Sequence, residues 1–503
     1  MPEVTEPDTP VELEYRAQRR RYWLAAFVVL FVVATFLYWR IVPQPAEEYA
    51  AIQEHFKYGS IGADNAERGI PFHLWQALPE MFPDYLPDKG RSGRGYESFG
   101  FIQEPGKDRP IGFSKRRVLG LELVGMNCAI CHAGVVRASP ESARQVVLGM
   151  PSNTVNLQAY FRFLFACAGD GRFTVDNVMA HIRKKANLDW YECLAYRSAI
   201  PKFREAALAQ KEKLKYWDDP QHAAPFGPGR VDTFNPYKVL FFDMQPGLAV
   251  GTADFPSLWN QRRREGMNLH WDGNNDSVYE RNISAAIGAG VVAPSESRSV
   301  RSSLDEPSMA RIADWILDLR PPRFPESRMN PDLLPLGKTV FNDHCARCHA
   351  LGSGCVGKVT SWDDKKLRTD RNRLDSFPAE MVQRMNSWGK GYPWQFSHFH
   401  KTDGYANSPL DGIWLRAPYL HNGSVPNLHA LLWPKERPTC FRRGNDVYDW
   451  KNVGFDSETK SADGTEFFLF DTRRKGNSNA GHLYGTDLPE NKKKALLEYL
   501  KTL

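Results

Sequence analysis

The sequence predicts a mainly α protein: one membrane-spanning helix, then two similar helical units carrying long irregular loops. Three observations predict it. An uncharged apolar run occupies Tyr22 to Tyr38, and the pattern Cys-x-x-Cys-His occurs twice, at 128–132 and 345–349. Apolar residues also recur at three- and four-residue steps before, between and after those motifs.

A helix crossing the hydrocarbon core needs about 20 residues, with a range reaching down to roughly 17. The run YWLAAFVVLFVVATFLY meets that length, with aromatic residues near both ends where the interfaces would lie. Arg16, Arg19, Arg20 and Arg21 precede it and should stay in the cytoplasm, which places everything after about Pro43 outside. A cleaved signal peptide is the competing reading. The run is long for one, and Tyr38-Trp39-Arg40 does not resemble a small-residue cleavage site. The expectation is a single-pass anchor in a bacterial inner membrane, N-terminus cytoplasmic, with the rest in the periplasm.

Beyond the anchor, Pro79, Pro83, Pro87 and the run Lys89-Gly90-Arg91-Ser92-Gly93-Arg94-Gly95 mark a loop-rich stretch with a short helix near Phe72 to Phe82. Residues 155–217 carry helical periodicity, and Pro225-Phe226-Gly227-Pro228-Gly229 breaks it. Ser308 to Leu319 reads as an amphipathic helix stopped by Pro321, Pro322 and Pro325. Leu336 to His349 is helical into the second motif, and Asn491 to Leu503 forms a last amphipathic helix able to pack on it. The expected division is 1–21 cytoplasmic, 22–42 anchor, 43–110 loop-rich, 111–325 first unit with a helical insertion, and 326–503 second unit.

Composition bounds the rest. A net charge of +6 over 503 residues is mild, and no basic tract stands outside the membrane flank, so nucleic acid is not an expected partner. The 35 prolines and 38 glycines accompany 12% aromatic residues, which argues for long ordered connections rather than disorder. Of eight cysteines, four belong to the motifs. The other four, Cys167, Cys193, Cys355 and Cys440, are an even number in an oxidising compartment. Pairing within each unit favours Cys167 with Cys193 and Cys355 with Cys440; four buried free thiols are the alternative.

Two thiols a few residues apart can add across the two vinyl groups of a haem, and the adjacent histidine can bind the iron through a neutral imidazole nitrogen. Cys-x-x-Cys-His is accordingly the attachment pattern of a c-type haem. A zinc ribbon would set two such knuckles roughly 15–20 residues apart. Here they stand at 128 and 345, each with its own histidine. Two cytochrome c-like units with two covalently bound haem c groups follow: Cys128, Cys131 and His132 for the first, Cys345, Cys348 and His349 for the second.

An internal repeat bears on the sixth iron ligand. Leu269-His270-Trp271-Asp272-Gly273-Asn274 aligns with Tyr419-Leu420-His421-Asn422-Gly423-Ser424 on the Asp/Asn-Gly pair, since a turn glycine is hard to replace. That register sets Trp271 opposite His421. His421 is the candidate second ligand of the C-terminal haem; Met381, Met385, His398 and His400 are alternatives. Trp271 cannot bind iron, which suggests an open face at the first haem with Trp271 as a wall or relay. His181, His222, His270, Met150, Met244 or Met267 could instead close it, and His55, His73 and His482 carry no motif.

With these residues in view, the chain resembles the dihaem bacterial cytochrome c peroxidase superfamily, through Pro256-Ser257-Leu258-Trp259-Asn260 and Leu415-Arg416-Ala417-Pro418-Tyr419-Leu420-His421-Asn422-Gly423. Phe56-Lys57-Tyr58-Gly59-Ser60-Ile61-Gly62, Gly229-Arg230-Val231-Asp232-Thr233-Phe234-Asn235-Pro236-Tyr237 and Trp271-Asp272-Gly273-Asn274-Asn275-Asp276-Ser277-Val278 are similar to the branch containing the rubber oxygenases. The resemblance implies an N-terminal haem where oxygen or peroxide reacts, at His132 with an open face near Trp271. It implies a C-terminal haem held by His349 and His421. The polymer substrate of that branch does not carry over, because an anchored enzyme is held away from an insoluble polymer.

Three functions follow as expectations. The first is electron transfer coupled to peroxide or dioxygen at the first haem, a peroxidase-like or oxygenase-like oxidoreductase. The second is a pure carrier with both haems six-coordinate, and the third a non-redox haem-dependent sensor or assembly factor. Redox proteins or membrane electron-transport components are the expected partners.

Overall fold

Thr9 starts the first helix: its side chain accepts from the Glu12 N–H while the Glu12 carboxylate accepts from the Thr9 N–H, a reciprocal cap. The helix runs over Pro10–Ile41, so the arginine-rich flank continues the apolar stretch as one rod. It is long and apolar enough to cross a membrane, and its apolar window is unburied by the rest of the chain. The computed structural model describes residues 9–42, 44–462 and 464–503; the first eight residues of the expected cytoplasmic segment, and Pro43, lie outside the described residues. Helix accounts for 41% and strand for 12%, so helix dominates as expected.

The strands are short and mostly paired in twos. The exception is a three-stranded antiparallel sheet in which Leu121–Met126 lies between Ile70–Pro71 and Phe113–Val118. Leu119 and Gly120 link its hairpin with φ of 51° and 77°, the two consecutive left-handed residues a type I′ turn requires. This hairpin, not a helix, leads into the first Cys-x-x-Cys-His. The stretch expected to be loop-rich contains helices at Ile52–Tyr58 and Phe72–Met81. The helical insertion forms Leu157–Gly169, Val175–Lys185 and Trp190–Lys213, capped by Asn156, Thr174 and Asp189. A fully buried aromatic cluster ties it to the sheet: Trp75 stacks on Tyr96 at 4.2 Å and donates to the Tyr160 hydroxyl at 2.9 Å.

In the C-terminal part, Leu334–His344 leads to the short helical turn Ala346–His349, and Glu490–Leu500 crosses the former. Gly337 makes that crossing close: a Cβ there would stand 2.1 Å from the Ala495 carbonyl oxygen. Phe341 meets Tyr499 beside it at 5.3 Å. The segments before and after residue 326 interlock. Phe377, Met381 and Trp388 share one core with Phe56, Ile283 and Ile312, and Arg137 pairs with Asp446 at 2.6 Å.

No disulfide joins any of the eight cysteines, which corrects the expected Cys167–Cys193 and Cys355–Cys440 bridges. The Cys193 sulfur contacts the Arg183 guanidinium at 3.7 Å, and the Cys440 sulfur contacts Arg473 at 3.9 Å. Cys355 lies beside Cys348 rather than Cys440.

Replacing Gly337 by Ala should force the two C-terminal helices apart, since the obstacle is backbone. Overpacking of this kind costs about 1–3 kcal/mol. A lowered thermal unfolding midpoint measures it, and an unchanged midpoint would refute the close crossing.

Candidate functional site

The hairpin delivers Asn127 to the start of the first motif. Its side-chain amide donates to the carbonyls of Lys57 and Gly59 at 3.2 and 3.0 Å, and its carbonyl oxygen accepts from the Ala129 N–H at 3.0 Å. The short helix Ala129–His132 is thereby fixed. His132 is buried, and its Nδ1 lies 2.9 Å from the Pro256 carbonyl oxygen. A carbonyl can only accept, so Nδ1 carries the proton and Nε2 holds the free lone pair. Burial pushes the His132 pKa down to about 3, which keeps the ring neutral, the form that binds a metal. Cys128, Cys131 and His132 line a cavity of about 750 Å³ with Phe161, Tyr237 and Trp271.

The second motif repeats the device. His349 Nδ1 lies 2.8 Å from the Ser408 carbonyl oxygen, which again leaves Nε2 unprotonated. Here another histidine faces it: the His349 and His482 rings have centres 6.3 Å apart. With metal–imidazole bonds of about 2 Å, two rings bound on opposite sides of one metal have centres roughly 6 Å apart. His482 is held by its backbone, its N–H donating to the Leu367 carbonyl at 2.7 Å. Arg437 clamps the preceding loop at the carbonyls of Asn479 and Gly481. Burial pushes the His482 pKa down to about 4. It adopts a left-handed φ of 49°, an uncommon conformation for a residue with a side chain.

The two repeat turns superimpose in kind. Leu269 bridges Asn275 and Tyr419 bridges Val425. His270 and Leu420 have φ of 63° and 66°, and Gly273 and Gly423 have 66° and 62°. Trp271 therefore does stand opposite His421 in the repeat. Both turns meet at Asp254: the Trp271 indole N–H donates to the Asp254 carbonyl at 2.9 Å, and the Asp254 N–H donates to the His421 carbonyl at 2.9 Å. Trp271 lines the main cavity and also a smaller space of about 70 Å³ between Pro256 and Ser408, so it stands between the two histidine anchors. His421 is buried elsewhere, stacked on Tyr405 at 4.4 Å with its Nε2 3.1 Å from the Tyr405 hydroxyl.

Among the other candidates, His398 pairs with Asp276 at 2.6 Å and His400 contacts Asn268 at 3.2 Å. Met381 and Met385 pack in the core, and Met385 also lines the main cavity. His181 bonds its own helix at the Asn177 carbonyl, His222 pairs with Asp219, and Met150 is buried in the C-terminal core. Met267 lines only the smaller space. His270 lines the main cavity, its Nδ1 2.6 Å from the Asn274 side-chain oxygen.

Three arginines crowd the space between the anchors: Arg264, Arg281 and Arg416. Arg264 pairs with Asp411 at 3.1 Å. Arg281 reaches only the Asn282 side-chain oxygen at 3.4 Å among the described residues, and the Nε atoms of Arg264 and Arg416 have no partner there. Burial pulls Arg281 and Arg416 down to about 9. Buried positive charge in such excess calls for an anionic partner, and the two propionates of a haem supply that chemistry. The donor set, the neutral imidazoles and the arginines all fit the group.

A RoxA-like, cytochrome c-like family model matches residues 404–442, the segment that holds Ser408, Tyr405 and His421. A cytochrome c-like domain implies covalently bound haem c. The chain is also similar to two proteins of Sinorhizobium fredii strain NGR234. It is 26% identical to "Uncharacterized protein y4iJ" over 86% of each chain. It is 28% identical to "Uncharacterized protein y4iM" over 46% of this chain and 56% of the relative.

Sequence reasoning missed His482, Ser408 and the three arginines. The first has no motif around it, and its one local signal is the preceding Gly481, which marks a turn.

The wall behind Trp271 depends on a buried ion pair, Arg373 with Asp272 at 2.8 Å. Arg373→Ala leaves that carboxylate buried and unpaired and should cost about 3–5 kcal/mol. The denaturant midpoint reads this loss, and a change below about 1 kcal/mol would mark the pair as solvent-screened.

Proposed function

We propose that this chain is a membrane-anchored dihaem c-type cytochrome of the bacterial inner membrane, with its haem units in the periplasm. Haem held at the second motif would supply electron transfer, and haem held at the first would supply peroxide or dioxygen chemistry. The carrying observation is an asymmetry. Both motif histidines leave Nε2 free in the same way, but among the described residues only His349 has a second imidazole ring beside it. Cys128, Cys131 and His132 would hold the first haem, and Cys345, Cys348 and His349 the second. His482, rather than His421, would be the second histidine holding the latter. Bound there, haem c supplies a redox iron whose reactivity depends on whether a sixth position stays open.

The residues around it have separate tasks. Arg264, Arg281 and Arg416 neutralise propionates from both sides of the gap. Trp271 forms the aromatic wall between the sites. His421 and Tyr405 position the second repeat turn. Electrons arrive from redox proteins or membrane electron-transport components. One observation favours the pure-carrier reading: His270 stands on the main cavity wall and would close the first site if it reached the iron.

Spectroscopy of the purified holoprotein separates these. Its mass should include two macrocycles that survive acid-acetone extraction, and its paramagnetic spectrum should combine one high-spin and one low-spin centre, the former altered by cyanide. His482→Ala should convert the low-spin centre to high-spin, whereas His421→Ala should leave it low-spin; the reverse pattern would restore His421 as the ligand. His270→Ala should leave the first centre unchanged, and a new high-spin signal in that variant would establish the carrier.

A further inference from the structure

The anchor helix does not merely tether the body; its end is docked on it. Phe36 stacks on Trp190 at 5.9 Å. Arg40 pairs with Asp189 and with Glu192, and its guanidinium lies 5.8 Å from the Tyr191 ring. Tyr191 in turn donates its hydroxyl to the Leu119 carbonyl at 3.2 Å, at the tip of the hairpin. Phe36 lies four residues before Arg40, about 6 Å deeper along the helix. Trp190 is thus held at the depth of the last apolar turn.

Around this dock the body exposes large apolar side chains. Trp190 is 66% exposed, Leu194 63% and Leu119 53%. Three such residues beside the end of an apolar helix, with a tryptophan level with its last apolar turn, form a surface suited to the headgroup and upper acyl region of a bilayer.

Leu119 belongs to a second feature as well. It lines the main cavity, the same one that Cys128 and His132 line. Val118, Leu121, Ala195, Ala199 and Phe203, all small or apolar, line the outer limb of that cavity. Its rim includes Ser198 and Lys202, both exposed. Lys202 has no ion pair or hydrogen bond among the described residues. A haem on the first motif would take the inner end, and Leu119, bonded to Tyr191 beside the anchor's end, lines the outer limb.

From this juxtaposition we infer that the cavity is entered from the bilayer, and that its ligand is a long-chain lipid drawn in chain first, with the Lys202 ammonium at the rim to meet an anionic head. An apolar chain leaving the bilayer for this limb stays out of water throughout, so the transfer carries no hydrophobic penalty. An extended water-soluble substrate would meet the opposite: an apolar passage whose rim faces lipid. The inference rests on the membrane-anchor reading above.

The test uses the full-length holoprotein in phosphatidylcholine vesicles containing a fatty acid with a photoreactive diazirine near its chain end. After illumination, adducts are mapped by mass spectrometry. Adducts are expected on residues 195–206 and 118–121 as well as on 22–38, and excess oleic acid should suppress those on the body. Ala199→Trp, which fills the limb, should remove the cavity adducts and spare those on 22–38; Lys202→Trp, at the exposed rim, should do the same should the first variant lose its haem spectrum. Adducts confined to 22–38 would overturn the lipid entrance and leave the anchor standing. A holoprotein that stays in the supernatant after vesicle sedimentation, with no adduct on 22–38, would overturn the anchor reading itself.

Discussion

One ring nitrogen committed to a backbone carbonyl, twice over, is the constraint on which the rest of this structure depends. His132 to Pro256 and His349 to Ser408 are contacts between a motif and a loop far along the chain. Each fixes the tautomer, the ring orientation and the basicity of the other nitrogen at once. An Nδ1–H without an acceptor would cost the desolvation of a buried donor, so the loops carrying these carbonyls must themselves be immobile. That requirement explains why so much of the chain is ordered loop with buried polar support. Asn127 caps the first motif from below, while the Trp259 indole donates to the Leu148 carbonyl just beyond the first loop carbonyl.

Asp254 carries the same logic to the pair of sites. It is buried between Arg230 and Arg443, at 3.7 and 3.0 Å, and its backbone bonds one repeat turn on each side. Gly423 packs so closely there that a Cβ would stand 2.2 Å from an Asp254 carboxylate oxygen. Burying these charges gains little stability beyond an apolar alternative. It gains geometry. Two turns related by the repeat are welded through one residue, and the two histidine anchors cannot move independently. The separation of the two motif histidines is thereby fixed, and Trp271 occupies the gap between them.

Much of this was legible in the residues because the signals were covalent or periodic. The two pentapeptides announce their chemistry by spacing alone. The apolar run, the Leu334–His344 helix and the Glu490–Leu500 helix follow from hydrophobic period. The repeat register was readable because a left-handed turn position tolerates few residues other than glycine, and Gly273 and Gly423 both occupy one. What stayed hidden is non-local. His482 is defined only by a fold that returns the last loop to the second motif, and Ser408 contributes a carbonyl, which every residue owns. The hairpin at 113–126 was hidden for another reason: Leu119 takes a left-handed φ at a turn where glycine or asparagine would advertise it. His421, the ligand expected from the repeat, stands in a real turn motif and stacks on Tyr405.

The hairpin that escaped notice connects the two ends of the proposed function. Its turn, at Leu119 and Gly120, bears on Tyr191 and through it on Arg40 at the end of the anchor. Its second strand, Leu121–Met126, runs straight to Asn127 and Cys128. Six residues of antiparallel strand span roughly 20 Å at about 3.4 Å each. The first motif therefore stands about that far from the hairpin turn on which the end of the N-terminal helix bears, on a stiff strut of antiparallel strands rather than a flexible linker. Such a strut fixes where the first motif stands relative to the end of the N-terminal helix. A free tether would not. On the proposed reading, docking the anchor on the strut that holds the motif makes the membrane part of the site's geometry.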